Sequence, residues 1–257
     1  MSENDGSGTR QLKSVSRAFD IVEYLRTEGP ATLSAVAEEF DMPMSTAHIH
    51  LVTLVENDYV IKRDERYECS FLFLRTGGQL RDQLPLYQAA KTEIDDLRAQ
   101  SGEIANVGTE QNGYMVQLYK SEGPESIDDN AALGAHLYLH NTALGKAMLS
   151  QFSDDRVETI LNLRGLPALT EESIVDREAL FEELEETRER GYAVNRGEHF
   201  VGVSAVAAPI LSNSGSVVGA ISISGPLSRM GDDRIEETLA PAILNKKNII
   251  ELKLSQR

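Results

Sequence analysis

Polar and apolar side chains share one face of a helix predicted over residues 43–57, and their types suit contacts with nucleic-acid bases. The residues on that face are Ser45, Thr46, His48, Ile49 and Thr53. Hydroxyl and imidazole groups hydrogen-bond to base edges or phosphates, and an isoleucine side chain can contact the methyl group of thymine. The spacing therefore predicts a recognition helix for the major groove of DNA. The alternative is a solvated helix face in an interaction module.

Basic residues flank this helix in the sequence instead of lying on it. Arg17 belongs to an earlier predicted helix, and a predicted hairpin downstream carries Lys62, Arg63 and Arg66. In a winged helix such positions contact phosphate groups, which orient the protein on DNA without reading its sequence. We therefore predict that phosphate contacts come from the first helix and the hairpin.

The elements that position these residues follow from the spacing of apolar side chains. Helical spacing covers residues 14–28, 32–40 and 43–57, and strand-like alternation covers residues 59–70. Helix, helix, tight turn, helix and hairpin, within about 60 residues, is the order of a winged helix-turn-helix. We assign residues 11–72 to this domain.

Two details of these helices can be checked against a structure. Ser14 is the predicted N-cap of the first helix, and Val15 and Phe19 belong to its predicted inward stripe. In the third helix the predicted inward residues are Ala47, Leu51, Leu54 and Val55. That stripe leaves the candidate base-contacting face outside the domain core.

Net charge argues against DNA binding at first sight. The chain has 25 Lys and Arg against 41 Asp and Glu, a net charge of −16, whereas DNA-binding domains are usually basic. Either the protein avoids polyanions, or it works in a high-salt cytoplasm where acidic surfaces stay solvated and charges are screened. We favour the second explanation because the acidic residues are spread over both halves of the chain.

Composition narrows the remaining classes. A single cysteine, Cys69, excludes an intrachain disulfide and makes the cytoplasm the default location. No apolar run approaches the roughly 20 residues that a membrane-spanning helix needs, so no membrane partner is expected. Residues 1–10 are polar and acidic, and we predict a disordered leader there.

The rest of the chain predicts an α+β domain. Residues 73–86 read as a linker helix that Pro85 interrupts, and residues 87–257 mix strands with helices too irregularly for a dinucleotide-binding fold. The predicted strands are 103–109, 114–120, 136–139, 203–211 and 216–224. The predicted helices are 141–152, 154–163, 176–190 and 232–252.

Several segments, in the same order along the chain, carry a family resemblance. They are SRAFDIVEYLRTEGPATLSAVAEEFDMPMSTAHIHLVTLVENDYV, LYLHNTALGKAMLS, GLPALTEESI, RERGYAVNRGEHFVGVSAVAAPI and VVGAISISGPLSRM. Together they resemble the IclR-type transcriptional regulators, and the acidic balance resembles a haloarchaeal member. The resemblance implies a winged helix-turn-helix joined by a linker helix to a GAF-like α/β effector-binding domain. It also implies a homodimer or homotetramer on palindromic operator DNA, controlled by a small-molecule effector.

The resemblance also implies a set of effector-binding residues. They are Ala143, Leu144, Asn195, Val203, Ala205, Ser222 and Ser224. Ser222 and Ser224 point to one face of a strand, because side-chain direction has a period of two, and two hydroxyls there can bond to a carboxylate or a carbonyl. Backbone amides at the start of the helix at Ala143 can hold an anion.

Four positions depart from the family pattern. Many members carry Lys and Arg where this chain has Met44 and Ile49, so hydroxyl, imidazole and apolar contacts are expected in place of basic ones. Ala205 stands where close relatives of the type protein have Cys. Asn195 stands where some members have an acidic residue, and its amide donates hydrogen bonds as well as accepting them.

Enzymatic and metal-binding functions are the sharper alternatives. The segment Gly202–Val206 imitates a nucleophile elbow around Ser204, but it lacks the final glycine. His136 and His140 lie four residues apart, yet they span a predicted strand-to-loop segment, whereas the four-residue spacing brings two ligands together on one face of a helix. We expect neither catalysis nor a bound metal or cofactor.

Overall fold

Residues 12–123 and 132–256 are described by the structure, a computed structural model. The chain divides into two units, Met1–Leu80 and Arg81–Arg257. The predicted disordered leader, residues 1–10, lies outside the described residues.

The described part of the N-terminal unit begins with three helices and a small sheet. The helices are α1 (Lys13–Glu28), α2 (Leu33–Glu39) and α3 (Met44–Glu56), and the strands are β1 (Ala31–Thr32), β2 (Val60–Arg63) and β3 (Arg66–Cys69). The strands pair antiparallel in the order β1-β3-β2. Thr32 caps α2 by accepting a hydrogen bond from the Ala35 amide, and Pro43 sits just before α3. This is the predicted winged helix-turn-helix order.

Two expectations about α1 are wrong. The helix begins at Lys13 without any side-chain cap, so Ser14 is not its N-cap. Val15 and Phe19 are 50% and 70% exposed, and Ile21 is buried in their place beside Leu25. The first turns of α1 extend past the small core, so periodicity alone misplaced the inward stripe.

The wing turn between β2 and β3 has an unusual backbone. Asp64 and Glu65 both have positive φ values, 48° and 65°. Antiparallel strands joined by two residues need this left-handed geometry to match the strand twist, and glycine or asparagine adopts it at lower cost. The wing is therefore held in place by its strand pairing rather than by favourable turn residues.

Two helices follow the wing. They are α4 (Leu72–Asp82), none of whose residues is buried, and α5 (Pro85–Ser101). Pro85 lies in the first turn of α5, where its missing N–H costs nothing, and Leu84 before it is extended. The predicted interruption at Pro85 therefore falls between the two helices.

The C-terminal unit is organised around one antiparallel sheet. Its strands are β4 (Ile104–Gln111), β5 (Tyr114–Ser121), β6 (His136–Tyr138), β7 (Ala193–Arg196), β8 (Val203–Leu211) and β9 (Val217–Pro226). Their order across the sheet is β6-β5-β4-β9-β8-β7. The helices between β6 and β7 are α6 (Ala143–Leu149), α7 (Asp154–Arg164) and α8 (Arg177–Arg190).

Helices cover both faces of this sheet. On one face α5 and the last helix pack against apolar residues that include Ile221 and Ile223. On the other face α6, α7 and α8 pack against small residues that include Ala207 and Ala220. Because side chains alternate along β9, Ser222 and Ser224 share the face of Ala220 and lie beneath α6.

The C-terminal helix is interrupted, contrary to the single helix predicted over residues 232–252. A short turn, α9 (Asp232–Arg234), leads into a π-helical segment (Ile235–Leu239) and then α10 (Ala240–Ser255). Pro241 lies in the first turn of α10 and has no N–H for the helical ladder, so the preceding turn widens. None of the helices in the described part of the chain has the length and apolar character that a membrane span requires.

Candidate functional site

A cavity of about 70 Å³ opens in the C-terminal unit, on the sheet face that α6 covers. Every residue predicted for the effector pocket lines it: Ala143, Leu144, Asn195, Val203, Ala205, Ser222 and Ser224. The other lining residues were not predicted from the sequence: Asn106, Met115, Gln117, Leu137, Thr142, His199 and Phe200. The motif residues therefore meet around one space, although they come from separate elements.

Strand register brings three of these residues into a row. Asn195 on β7 lies opposite Ala205 on β8, and Ala205 lies opposite Ser224 on β9. Residues opposite one another point to the same face of a sheet. The row therefore crosses the cavity floor, and an alanine at its centre leaves space above it.

The N-terminus of α6 forms another wall. The Thr142 hydroxyl accepts a hydrogen bond from the Gly145 amide at 3.0 Å and so caps the helix. At Gly145 a Cβ atom would overlap the Leu139 backbone, so only glycine allows α6 to approach that strand end. This close approach carries Ala143 and Leu144 to the cavity.

A hydrogen-bonded cluster of amides and hydroxyls forms part of the floor. Asn106 Nδ2 lies 3.3 Å from Ser222 Oγ and 3.2 Å from Ser224 Oγ. Gln117 Nε2 donates to Asn106 Oδ1 at 2.8 Å. In the sequence, Asn106 and Gln117 stand within otherwise apolar predicted strands, at positions where a buried side chain is expected. A polar residue at such a position is the sequence signal that could have identified them as pocket residues.

A β-bulge brings Gln117 to this face. Val107 pairs with Tyr119 but Gly108 pairs with Gln117, so Leu118 is an extra residue on β5. One inserted residue reverses which side chains face each side of a strand. Met115 and Gln117 consequently point to the same face as Asn106.

Asn195 holds two loops as well as lining the cavity. Its Nδ2 donates to the Asn141 carbonyl at 2.6 Å, and its Oδ1 accepts from the Glu198 amide at 3.3 Å. A carboxylate at this position would face the Asn141 carbonyl without a proton to donate. The amide therefore matches both neighbours, whereas an aspartate would not.

No Lys, Arg, Asp or Glu lines the cavity among the residues that the structure describes. A buried ion cluster lies close by: Lys146 Nζ is 2.7 Å from Glu198 Oε1 and 3.3 Å from Glu183 Oε1. Burial raises the pKa of Glu198 above its usual range, and Lys146 opposes that rise. Glu198 Oε2 is buried and accepts no hydrogen bond from a described residue.

The residues considered for catalysis and metal binding have other partners. Ser204 is fully buried on β8 and donates to the Asn195 carbonyl at 2.7 Å. Burial lowers the pKa of His140, whose Nε2 lies 3.2 Å from the Pro167 carbonyl oxygen. Within the described ranges, no three His, Cys, Asp or Glu side chains are grouped to hold a metal ion.

The candidate base-contacting residues lie on the outside of α3. Ser45, Thr46, His48, Ile49 and Thr53 are all exposed, while Ala47 and Leu51 are buried. Ile49 is 65% exposed, so its side chain is accessible for an apolar contact such as a thymine methyl group. The Thr53 hydroxyl donates to the Ile49 carbonyl at 2.8 Å, so towards solvent it can act only as an acceptor.

Every basic residue predicted to contact phosphate already has an intramolecular partner. Arg17 lies 3.7 Å from Asp20, Lys62 lies 2.9 Å from Glu65, and Arg63 lies 3.7 Å from Glu68. Arg66 Nη1 donates to the Pro30 carbonyl at 2.9 Å. Acidic neighbours therefore compete with phosphate for the first three of these cations.

Comparison with known proteins identifies the family. Residues 14–64 match the family described as the IclR helix-turn-helix domain, and residues 79–249 match the bacterial transcriptional regulator IclR C-terminal family. The chain belongs to the IclR family of transcriptional regulators. These matches place it among regulators with a C-terminal ligand-binding domain, not among enzymes.

Individual IclR-family relatives resemble the chain over nearly its full length. The protein named "Probable HTH-type transcriptional regulator ArcR" of Halobacterium salinarum is 28% identical, and the match covers 95% of each chain. The Thermotoga maritima IclR crystal structure has a TM-score of 0.83 at 28% identity, covering 95% of this chain and 99% of that one. An IclR homolog complexed with 4-hydroxybenzoate, from Microbacterium hydrocarbonoxydans, has a TM-score of 0.79 at 21% identity, covering 94% and 98%.

Proposed function

We propose that this regulator controls a catabolic operon. The N-terminal unit binds double-stranded operator DNA, and the C-terminal cavity binds a small metabolite: a sugar, sugar acid, keto acid or amino-acid derivative. The observation that carries the proposal is the cavity that collects all seven motif residues together with the amide and serine cluster. The cavity has apolar walls and a few convergent polar groups, which is the usual lining of a small-metabolite site.

The metabolite is held by neutral groups. The lining offers serine hydroxyls and side-chain amides, together with apolar contacts from residues such as Leu144 and Val203. An anionic effector is then stabilised by charge-assisted hydrogen bonds rather than by an ion pair. Ser222 and Ser224 are the main polar contacts in this proposal, and Ala205 leaves the space between the strands.

DNA is read by the exposed face of α3. Ser45, Thr46 and His48 hydrogen-bond to base edges or phosphates, and Ile49 contacts a thymine methyl group. Arg17 and the wing residues Lys62, Arg63 and Arg66 exchange their intramolecular partners for phosphates. This division follows from the exposure of α3 and from the absence of Lys and Arg along it.

The regulator assembles as a homodimer or homotetramer. Helix α4 carries large apolar side chains, of which Leu74 is 72% exposed and Leu80 63% exposed, and none of its residues is buried. Large apolar side chains exposed along a helix with no buried residue support an interaction surface there. Light scattering on the full chain tests the assembly, and Leu74→Asp is expected to lower the measured mass. A monomeric wild-type protein would contradict it.

We place the protein in a cytoplasm of high salt concentration. The net charge of −16 and the likeness to a Halobacterium salinarum protein support this setting. Binding of the full chain to its own upstream region, followed by fluorescence anisotropy in 0.1 M and 2 M KCl, tests the DNA function. Saturable binding that a scrambled duplex does not compete supports it. No binding at either salt, with or without small organic acids, would leave a ligand-binding module that no longer holds DNA.

Thermal-shift screening tests the effector function. The probes are sugars, sugar acids, keto acids and amino acids, and a bound probe at 100 times its Kd adds about 2.7 kcal/mol of stability. Ser222→Ala with Ser224→Ala is expected to abolish the shift. Ser212→Ala with Ser214→Ala, in the loop of the same β8–β9 hairpin, is the matched control and is expected to retain it. A shift unchanged in both double variants would contradict the assigned pocket.

A further inference from the structure

The orientation of the polar cavity floor traces back to one backbone carbonyl. The Tyr119 carbonyl oxygen can only accept, so the Gln117 side-chain atom 3.1 Å from it must be the donor Nε2. The same Nε2 lies 2.8 Å from one side-chain atom of Asn106, which must therefore be the acceptor Oδ1. Asn106 then turns its NH₂ group towards Ser222 and Ser224. No other assignment of the two amides satisfies all four contacts.

This relay decides what the two serines can do. Each Oγ accepts a hydrogen bond from Asn106 Nδ2, at 3.3 Å for Ser222 and 3.2 Å for Ser224. A hydroxyl has a single proton, and neither serine donates it to another residue in the described part of the chain. Both side chains are buried and line the cavity. Each Oγ keeps a second lone pair, but if that lone pair faced the cavity the hydroxyl proton would have no acceptor among the described residues. Donation of both protons to whatever occupies the cavity is therefore favoured.

We infer that Asn106 and Gln117 are specificity-determining positioning residues for the effector. By holding both serines as donors, they make the cavity select a ligand end that carries only acceptor oxygens, a carboxylate, over the isosteric carboxamide. A carboxamide has one oxygen and one NH₂ group, so its NH₂ group faces one of the two serine hydroxyls. That NH₂ group and that hydroxyl are both donors, and both stay unpaired in a buried site. A site built to hydrogen-bond one group rejects the analogue that cannot satisfy it. This inference rests on the proposed effector function.

Matched probe pairs of nearly equal shape test the inference. They are acetate and acetamide, pyruvate and pyruvamide, and benzoate and benzamide, titrated calorimetrically into the full chain in 2 M KCl. High salt screens any long-range effect of the protein's net charge on the anionic probes. For each pair that binds, the wild-type protein is expected to prefer the carboxylate by about tenfold or more, the ratio that one unsatisfied buried hydrogen bond implies.

Two neutral variants separate positioning from simple structural support. Gln117→Met keeps the side-chain length but removes the donor to Asn106, and Asn106→Leu removes the donor to the serines. Both are expected to reduce the carboxylate-to-amide preference to within about threefold of parity, because the hydroxyls are then free to donate or accept. Gln111→Met, at the exposed end of β4, is the matched control and is expected to keep the wild-type ratio.

The outcomes distinguish this inference from the effector function itself. A wild-type protein that binds both members of a pair equally well overturns the inference, whether or not the variants fold, and leaves the effector function standing. Folded variants that lower both affinities by the same factor also overturn it, since they reveal structural support alone. A wild-type protein that binds none of the six probes overturns the inference, and the thermal-shift screen then decides the effector function.

Discussion

At the scale of single residues, one buried cation of the C-terminal unit connects two segments beside the cavity. Lys146 is only 1% exposed, and it belongs to LYLHNTALGKAMLS, one of the segments that carry the family resemblance. Its nearest partner is Glu198, which lies in the loop after β7. Asn195 contacts the same loop, since its Oδ1 accepts a hydrogen bond from the Glu198 amide. Lys146 therefore ties α6 to that loop next to the cavity. Removing one member of a buried ion pair leaves the other charge uncompensated.

We predict that Lys146→Met destabilises the protein by about 3–5 kcal/mol at pH 7.5. The loss relative to wild type should be smaller at pH 5.5. Burial already raises the folded-state pKa of Glu198 above the ordinary carboxyl range, and without Lys146 it rises further. A raised carboxyl pKa means that the folded state binds the extra proton, so stability is regained as pH falls towards 4.5.

Denaturant unfolding of the full chain at both pH values measures this effect. Lys146→Met with Glu198→Gln should recover part of the loss at pH 7.5, since no buried charge then remains unpaired. Lys247→Met, which breaks the more exposed pair with Glu251, is the control and should cost no more than about 1 kcal/mol. Equal losses at both pH values would contradict the role assigned to Glu198.

At the scale of elements, the wing combines a turn of positive φ with basic side chains that are paired to neighbouring glutamates. Asp64 and Glu65 keep positive φ values in the β2–β3 turn, and Glu65 and Glu68 pair with the basic residues proposed to contact phosphate. These are exposed pairs, so each contributes little to stability. Their main consequence is competition, because each pair must open before its cation can reach DNA.

We predict that Glu65→Gln with Glu68→Gln raises operator affinity by roughly threefold to tenfold, the range expected when two exposed ion pairs no longer compete. The slope of log K against log salt concentration should also steepen. Lys62 and Arg63 then neutralise DNA phosphates more fully, and each neutralised phosphate releases its counterion. Fluorescence anisotropy from 0.1 M to 1 M KCl measures both quantities.

A charge-matched variant separates local competition from net charge. Glu236→Gln with Glu237→Gln removes the same two charges from the C-terminal unit, where both side chains are exposed. If it raises affinity as much as the wing variant, the gain comes from overall charge and the wing pairs are not the cause.

At the scale of the whole molecule, acidity sets the conditions under which the fold is stable. A net charge of −16 on 257 residues repels itself in dilute buffer. Ion pairs such as Lys246 with Glu93, and Arg229 with Glu103, offset this locally. Burial opposes ionisation of both glutamates, yet their hydrogen bonds to Lys and Arg side chains lower the pKa of each. They therefore stabilise the fold above about pH 4.5, and that contribution is lost at more acid pH.

We predict that the Tm rises between 0.1 M and 2 M KCl at pH 7.5. Screening shortens the range of charge repulsion from about 10 Å at 0.1 M to about 3 Å at 1 M salt, so the folded state loses less to self-repulsion. Circular dichroism of the full chain measures the Tm, with sorbitol at matched osmolality as the control for solvent exclusion. A Tm that falls over this range would contradict the high-salt setting proposed for the protein.

Local patterns predicted most of the elements and the family. Apolar spacing placed α2, α3 and the hairpin, and the strands predicted over 203–211 and 216–224 match β8 and β9 to within two residues at each end. The family resemblance predicted seven effector-binding residues, and all seven line one cavity in the structure. The motifs identify these residues without showing how the separate elements bring them together. Whether those residues bind an effector remains a prediction.

Features that depend on partners distant in sequence escaped the same patterns. The stripe of α1 was misplaced because the sequence of the helix does not determine how far the core extends along it. The π-helical turn before Pro241 is the exception, a local break that periodicity does not detect. The polar cavity floor is the clearest case. An extra residue at Leu118 reverses the facing of β5, and only that register brings Gln117 to Asn106 and orients the serines. Side-chain direction within a strand is a local property, whereas the register between strands is set by the packed sheet.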